Sequence, residues 1–322
     1  MVATDANRKT ENTVIHPIGA EDKIAMAAMR VIVEPNKGLM RGTGARIEFD
    51  AIMERVTVPE GVHFEEDTVG GIAGWWCRLE SAPPSVALLH IHGGWFNLGT
   101  AKAYRNLVGH FVLRAGVDAF IPDYRLAPEH PFPAAPDDVR SCYAGLVERG
   151  YSKIAVTGDS AGGNLALGLL VYLAAKDPDG AVKPVGGVAL SPVTDLGLSG
   201  ASWQTRAAAD PFFTQPQVAE LVRSYLNGHD PGDPVASPLR ADFAGLPPIS
   251  IHVGDDEVLL DDSSRFVERA SASGEPVTLE IWEGMVHGFV GSVGRLNASG
   301  DALQRIGAFL KECFAGSSMG RY

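Results

Sequence analysis

Residues 153–175, KIAVTGDSAGGNLALGLLVYLAA, decide the fold of this chain. An apolar, β-branched run ends there in a glycine-rich turn, and an apolar helical run begins directly after it. The turn reads G-x-S-x-G at positions 158–162, with Ser160 at its centre. Small residues two positions before and after the serine suit a sharp backbone bend. The motif alone also fits an ordinary glycine-rich strand–helix junction, but its strand–turn–helix setting predicts that Ser160 is a nucleophile.

Apolar strand patterns alternate with helical patterns on both sides of this turn. We predict strands at residues 55–58, 75–79, 86–92, 119–122, 153–158, 187–191, 249–254 and 277–283, and helices at residues 104–115, 136–149, 161–175, 262–273 and 301–314. The last six strand runs are almost continuously apolar or β-branched, as expected for strands covered on both faces. The alternation predicts an α/β fold with a mostly parallel sheet of about eight strands and helices on both faces.

Two stretches do not fit the alternation. Residues 1–45 contain an amphipathic helical pattern at 21–33, and residues 195–235, which are rich in proline and glycine, contain another at 215–226. Both stretches are compatible with surface decoration, but we predict that they pack together as a cap over the carboxyl edge of the sheet, where α/β sheets bind ligands. The chain then divides into a first cap part (1–45), a first core part (46–194), a cap insert (195–235) and a second core part (236–322).

Composition excludes several classes of function. The formal net charge of −12 argues against a nucleic-acid surface, which needs clustered lysine and arginine. The three cysteines are far apart and lack a CxxC pair, which favours reduced thiols. The N-terminal residues MVATDANRKTEN precede no apolar stretch, and no run approaches the roughly 18 apolar residues of a membrane span. We therefore expect a cytoplasmic protein without a membrane span.

A glycine pair follows the predicted strand at 86–92. In the sequence HGGW at 92–95, the backbone N–H groups of Gly93 and Gly94 are candidates to stabilise an oxyanion together with the N–H of Ala161. The same loop nearly matches a phosphate loop, but Thr100 stands where that motif requires lysine. The sequence favours an oxyanion hole over a phosphate site.

Two histidines in the same strand, His90 and His92, have the same-face spacing of a metal site. No carboxylate or histidine follows to complete such a site, so we predict no metal.

A base and an acid follow the last two predicted strands. His287, in EGMVHGF at 283–289, is expected at the same sheet edge as Ser160, where it would serve as the general base. Acids that would orient its imidazole lie in the loop after residues 249–254, at Asp255, Asp256, Glu257, Asp261 and Asp262. The chain order serine, acid, histidine suits an α/β-hydrolase fold but does not choose among these acids. For Asp261 and Asp262 we favour a solvated helix N-terminus.

Six blocks of this sequence are similar to the bacterial hormone-sensitive-lipase-like carboxylesterases, which include acetyl esterases. The blocks are HGGWFNLGT (92–100), DYRLAPEHPFPAAPDD (123–138), GDSAGGNLA (158–166), SPVTDL (191–196), DEVLLDDS (256–263) and EGMVHGF (283–289). The resemblance covers about residues 70–315. It implies an α/β-hydrolase fold with a helical cap, a Ser–acid–His triad and no cofactor.

The resemblance also selects the acid. The family's block D-P-L-x-D-[DE] aligns with residues 257–262, which places the triad acid on Glu257, where the family most often has aspartate. Asp256 is the second choice. The implied triad is therefore Ser160, Glu257 and His287.

Trp95 departs from the family, which usually carries a third glycine at this position. Its indole is expected either to narrow the acyl pocket or to line the cap. We predict an apolar pocket wall from Trp95, Met29, Trp203, Phe212 and Phe213, although these side chains also suit the core of the cap itself.

These observations predict a serine carboxylesterase that hydrolyses small, short- to medium-chain esters through an acyl-enzyme intermediate. An arylformamidase or lactonase with the same triad is the alternative, since kynurenine formamidases of the superfamily also place an aromatic residue after HGG. A more remote alternative is a catalytically dead small-molecule binding protein. The expected partner is a small-molecule ester, not a nucleic acid, with a homodimer left open.

Overall fold

The computed structural model describes residues 12–176 and 182–316. Within these residues, nine strands form one sheet in the order β1-β9-β8-β7-β6-β4-β5-β3-β2. They are β1 (Thr13–His16), β2 (His63–Val69), β3 (Ile72–Arg78), β4 (Val86–Ile91), β5 (Asp118–Pro122), β6 (Lys153–Asp159), β7 (Gly186–Leu190), β8 (Ile249–Gly254) and β9 (Val277–Trp282). Only the pairings of β3 with β2 and with β5 are antiparallel. The predicted α/β fold with a mostly parallel sheet is confirmed, with nine strands instead of about eight.

The described helices include the seven that the sequence predicted and two short ones, at 46–53 and 202–205, that it did not. They are α1 (Ala20–Val33), α2 (Arg46–Met53), α3 (Ala101–Ala115), α4 (Ala134–Glu148), α5 (Ala161–Ala175), α6 (Ser202–Thr205), α7 (Gln215–Leu226), α8 (Leu260–Ala272) and α9 (Asn297–Ala315). The helix α3 begins three residues earlier than predicted because the Thr100 side chain caps it by accepting a hydrogen bond from the Ala103 N–H.

Alternate residues of the central strands enter two separate hydrophobic clusters. In β4, Leu88 packs in the cluster formed with α3 and α9, whereas Leu89 packs in the cluster formed with α5 and α8. Because successive side chains of a strand point to opposite faces, a strand covered on both faces is required to be apolar at most of its positions. This requirement explains why the sequence predicted β4 to β9 well.

The edge of the sheet was predicted poorly. Residues 55–58 are not a strand, since they follow α2 and pair with no other strand of the described chain. The first strand after these residues is β2, whose sequence is HFEEDTV. It is mostly solvent-exposed, because it pairs only with β3. The short strand β1 was also missed, for the same reason: two of its four residues are exposed.

The two segments predicted to form a cap contact each other. The Lys37 ammonium donates to the carbonyl oxygens of Ala207 and Asp210, and the Gly38 N–H donates to the Phe212 carbonyl. The Gln217 amide donates to the Met40 carbonyl at 2.7 Å.

The first of these segments is not entirely cap. The strand β1 lies within it and pairs with β9 in the sheet. Residues 1–11, which carry most of the N-terminal sequence considered above, lie outside the described residues. Among the helices that are described, none has the length and apolarity to cross a membrane.

Candidate active site

Ser160 lies at the turn between β6 and α5, in a strained backbone conformation. Its φ is +53°, in the left-handed region that non-glycine residues rarely adopt. A side chain at position 158 would collide with the Gly162 carbonyl, and one at position 162 with the carbonyl oxygens of Ile91 and His92. The two glycines of the motif are therefore required by close approach of the backbone, as the sequence predicted.

The neighbouring strand β7 holds this turn in place. The Ser160 N–H donates to the Leu190 carbonyl at 2.8 Å, and the Val193 N–H donates to the Ser160 carbonyl at 3.1 Å. The Ser160 hydroxyl itself has no hydrogen-bond partner within residues 12–176 and 182–316, and the residue is 4% exposed. A strained backbone that is held by hydrogen bonds through both its N–H and its carbonyl group is typical of a functional turn.

Glu257 is fully buried and bonded to His287. Its Oε2 lies 2.9 Å from Nδ1 of His287. Its Oε1 accepts hydrogen bonds from the Ser191 hydroxyl and from the Gly254 N–H, both at 2.7 Å. A buried carboxylate with three such partners is fixed in position.

Asp256, the second choice for the acid, points elsewhere. Its carboxylate forms an ion pair with Arg30 of α1 at 2.6 Å. The two other acids considered at the start of α8 are also engaged: Asp261 accepts from the Ser202 N–H, and Asp262 is buried, not solvated as we expected. Burial raises the pKa of Asp262 to about 7. Only Glu257 of these acids bonds to the histidine.

The surroundings of His287 favour its charged form. Burial lowers the pKa of His287, but the hydrogen bond and charge of Glu257, with the charges of Asp210 and Asp159, outweigh burial and raise it. The Nε2 atom, on the far side of the ring from Glu257, makes no hydrogen bond to any described residue. It is therefore the ring atom left to accept a proton.

Strand register brings these groups to one edge of the sheet. Asp159 pairs with Leu190, Leu190 pairs with His252, and Gly254 pairs with Trp282. The parallel strands β6, β7, β8 and β9 consequently end side by side. Ser160, Ser191, Glu257 and His287 follow those four ends in order, at the edge where α/β sheets bind ligands.

In the loop after β4, the structure contradicts one of the predicted oxyanion donors. The Gly93 N–H donates to Oδ1 of Asp159 at 3.0 Å, so this donor is already used. The N–H groups of Gly94, Trp95 and Ala161 have no acceptor among the described residues. At Gly94, Trp95 and Phe96 the values of φ are +114°, +51° and +61°. Trp95 thus adopts a backbone conformation that favours glycine.

One of the five pocket candidates, Phe213, contacts the histidine, and a second, Trp95, contacts Phe213. The Phe213 ring packs edge-on against His287, with centroids 4.9 Å apart, and Trp95 packs edge-on against Phe213 at 5.4 Å. Phe212 contacts Phe213 at 6.3 Å and, like Met29, packs against the α3–α9 cluster.

Trp203 is 3% exposed and packs in the other cluster, and no ring contact joins it to His287. For Met29 and Trp203, the structure gives no contact to the candidate triad.

Sequence reasoning missed Asp210, which organises part of the 195–235 insert beside the site. Its Oδ1 accepts hydrogen bonds from the N–H groups of Phe212 and Phe213, at 2.8 and 3.0 Å, and its Oδ2 accepts from the Val258 N–H at 3.0 Å. It therefore orients Phe213 and links the insert to the loop of Glu257. The available signal was an aspartate directly before Pro-Phe-Phe, where its side chain can bond the following backbone.

Comparisons with known proteins identify the family of this chain. A family model described as alpha/beta hydrolase fold matches residues 88–291. An acetyl-hydrolase of Streptomyces hygroscopicus is 36% identical over 271 residues, covering 83% of this chain and 88% of that protein.

Solved structures give the same result. An esterase/lipase from an uncultured bacterium superposes with a TM-score of 0.84 at 34% identity, covering 92% of this chain and 99% of that one. An esterase from the bacterial hormone-sensitive lipase family gives 0.83 at 34% identity, covering 91% and 98%. The chain belongs to the alpha/beta hydrolase fold family, and within it to the hormone-sensitive-lipase-like carboxylesterases.

Proposed function

We propose that Ser160, His287 and Glu257 form a catalytic triad that hydrolyses small carboxylic esters through an acyl-enzyme intermediate. The observation that carries this proposal is the hydrogen bond between the buried Glu257 carboxylate and His287, at the sheet edge where Ser160 is held in a strained turn. Esterase names among the relatives support the reaction class.

The chemistry follows from the roles of the three side chains. Nε2 of His287 takes the proton of the Ser160 hydroxyl while the serine oxygen attacks the ester carbonyl carbon. The bond to the alcohol oxygen then breaks, and the alcohol leaves with the proton from His287. Water next gives a proton to His287 and attacks the acyl group. The acid departs, and Ser160 recovers its proton.

Glu257 acts through the imidazole. Its bond to Nδ1 fixes the tautomer whose Nε2 accepts the serine proton, and its charge stabilises the imidazolium that forms. The Ser191 hydroxyl and the Gly254 N–H hold the carboxylate in that orientation.

The oxyanion is proposed to be bound by the N–H groups of Gly94 and Ala161, with that of Trp95 as a third donor. Gly93 is replaced in this role because its N–H is bonded to Asp159. Preorganised amides of this kind each contribute on the order of 3 kcal/mol of transition-state stabilisation.

The aromatic contacts favour small substrates. Trp95 is 4% exposed and packs on Phe213, which itself packs on His287. The Phe213 ring beside the proposed base, with the Trp95 indole packed on it, restricts the space for the acyl or alcohol group. We therefore propose esters with short to medium chains.

A covalent phosphonate probe and a small substrate panel test this function. Wild-type protein is expected to take one phosphonate on Ser160 and to hydrolyse p-nitrophenyl acetate and butyrate, whereas Ser160→Ala does neither. Absence of labelling together with absence of hydrolysis would indicate a binding protein. Faster turnover of a formanilide than of the esters would instead indicate a formamidase.

A further inference from the structure

A layer of buried polar side chains lies beneath the loop after β4, and the proposed reaction uses none of them. This polar layer consists of His90, His92, Tyr104 and Tyr124, each at most 2% exposed, together with Asp159. Buried polar groups are costly unless they are bonded, so a layer of five requires an explanation.

Asp159 joins this layer to two functional segments. Its Oδ1 accepts from the Gly93 N–H at 3.0 Å and its Oδ2 accepts from the Tyr104 hydroxyl at 3.1 Å. Nε2 of His90 lies 3.5 Å from the same Oδ1. One carboxylate therefore contacts the glycine loop, helix α3 and strand β4.

These contacts connect the nucleophile turn with the proposed oxyanion loop. Asp159 directly precedes the nucleophile Ser160, and its partner Gly93 directly precedes the proposed oxyanion donor Gly94. A side chain on Gly93 would collide with the Asp159 carboxylate, so the two segments are in direct contact. The loop beyond Gly93 has three successive positive φ values and needs external support to keep this strained shape.

The rest of the layer supports the same loop. The Tyr124 hydroxyl donates to the His92 carbonyl at 2.9 Å, and Nδ1 of His92 donates to the Gly93 carbonyl at 2.8 Å. Burial raises the pKa of Tyr104 well above its usual value, so its hydroxyl remains a donor to Asp159. These bonds hold the His92 and Gly93 carbonyl groups in place.

We propose that Asp159 is a positioning residue that holds the oxyanion loop against the nucleophile turn, so that the N–H groups of Gly94 and Ala161 converge on one point. The proposal rests on the proposed esterase function. Oxyanion donors act only when they are preorganised at the position of the developing charge, and Asp159 supplies that preorganisation.

The Asp159 carboxylate also has an electrostatic effect on His287. Its charge raises the pKa of His287, after the larger contributions of Glu257 and Asp210. The other titratable groups that interact with it are His90, His92, Tyr104 and Tyr124. An asparagine at 159 keeps an oxygen that accepts from Gly93 but removes the charge.

The experiment compares Asp159→Ala and Asp159→Asn with wild type on p-nitrophenyl acetate. We expect the alanine variant to lose at least about tenfold in kcat with KM changed less than about threefold, because the donors are displaced while binding persists. We expect the asparagine variant to recover most of kcat and to shift the acidic limb of the pH profile to lower pH. Asp301→Asn, an exposed position on α9, removes one charge far from the site and is expected to match wild type.

Several outcomes would overturn the positioning role. They are wild-type kcat in Asp159→Ala, equal losses in the alanine and asparagine variants, or a loss that appears in KM alone. If Asp159→Ala fails to fold, Tyr104→Phe, which releases Oδ2, must lower kcat at constant KM, and an unchanged kcat overturns the role. An active, phosphonate-labelled wild type beside an unimpaired Asp159→Ala refutes this inference alone, whereas an unlabelled, inactive wild type refutes the proposed function as well.

Discussion

Two neighbouring carboxylates, at positions 256 and 257, have opposite environments. Asp256 pairs with Arg30 at 2.6 Å and its side chain is 26% exposed, while Glu257 is buried against His287. Removing a partly exposed ion pair costs about 1 kcal/mol or less, but losing a triad acid misdirects the imidazole.

We therefore expect Glu257→Ala to lower kcat by a factor on the order of 10³ or more, and Asp256→Ala to change it less than about threefold. Steady-state kinetics on p-nitrophenyl acetate measures both. The opposite ranking would show that the acid has been assigned to the wrong residue.

The raised pKa of His287 predicts the pH dependence of activity. The base must be neutral to accept the serine proton, so activity falls as pH drops through its pKa, which lies above the usual 6.5. We expect the acidic limb of kcat/KM against pH, measured on an uncharged ester, to have its midpoint above 6.5. A midpoint below 6.5 would mean that burial outweighs the three carboxylates.

At the scale of elements, we propose that the loop after β4 limits the size of the substrate through Trp95. This indole occupies a left-handed position where glycine is unstrained, and it packs on Phe213 beside His287. Trp95→Gly therefore removes both strain and bulk.

We expect this variant to raise kcat/KM for a bulky ester relative to an acetyl ester by about tenfold or more, the scale of discrimination by apolar pockets. Both esters are measured on the same preparation, so a general loss of activity cancels in the ratio. An unchanged ratio would mean that the indole does not limit the substrate.

The strands also differ in how far sequence could predict them. The buried strands β4 to β9 require apolar residues at most positions, so their pattern is visible without a structure. The edge strands β1 and β2 bury little and are stabilised by a single neighbour. The sequence of β2 therefore resembles a polar loop, and β1 is only four residues long. The error at residues 55–58 arose because a few apolar residues after α2 resemble a short strand.

For the whole molecule, stability is expected to depend on pH through Asp262. Burial raises its folded-state pKa to about 7, with Oδ1 bonded to the N–H groups of Thr194 and Asp195 and Oδ2 without a partner among the described residues. The folded chain holds this proton between about pH 4 and 7, while the unfolded chain has released it. Its contribution to stability is therefore fully present below pH 3.8 and is lost as pH rises through about 7.

Asp262→Asn removes this titration and keeps an acceptor for the two N–H groups. We compare the free energy of unfolding of wild type with that of the variant at pH 5 and at pH 8. The difference, wild type minus variant, is expected to be lower at pH 8 by about 1 kcal/mol or more. Urea unfolding at both pH values measures the difference. A constant difference would show that Asp262 is already ionised in the folded protein at pH 5.

The sequence by itself determined the nucleophile turn, the buried strands and the alternation of strands and helices. Each depends on local geometry or on burial of a whole segment, and both leave a pattern in consecutive residues. It also indicated Glu257 through a family register, and that assignment, like those of Ser160 and His287, stays a prediction for kinetics to test.

Only the tertiary structure decided which polar groups meet. In the structure, Asp256 pairs with Arg30, and the Gly93 N–H bonds to Asp159. Asp262 is buried, and Ser191 and Asp210 lie beside the site. The physical reason is that a hydrogen bond between residues distant in the chain depends on strand register and helix packing. Consecutive residues carry no signal of that distance.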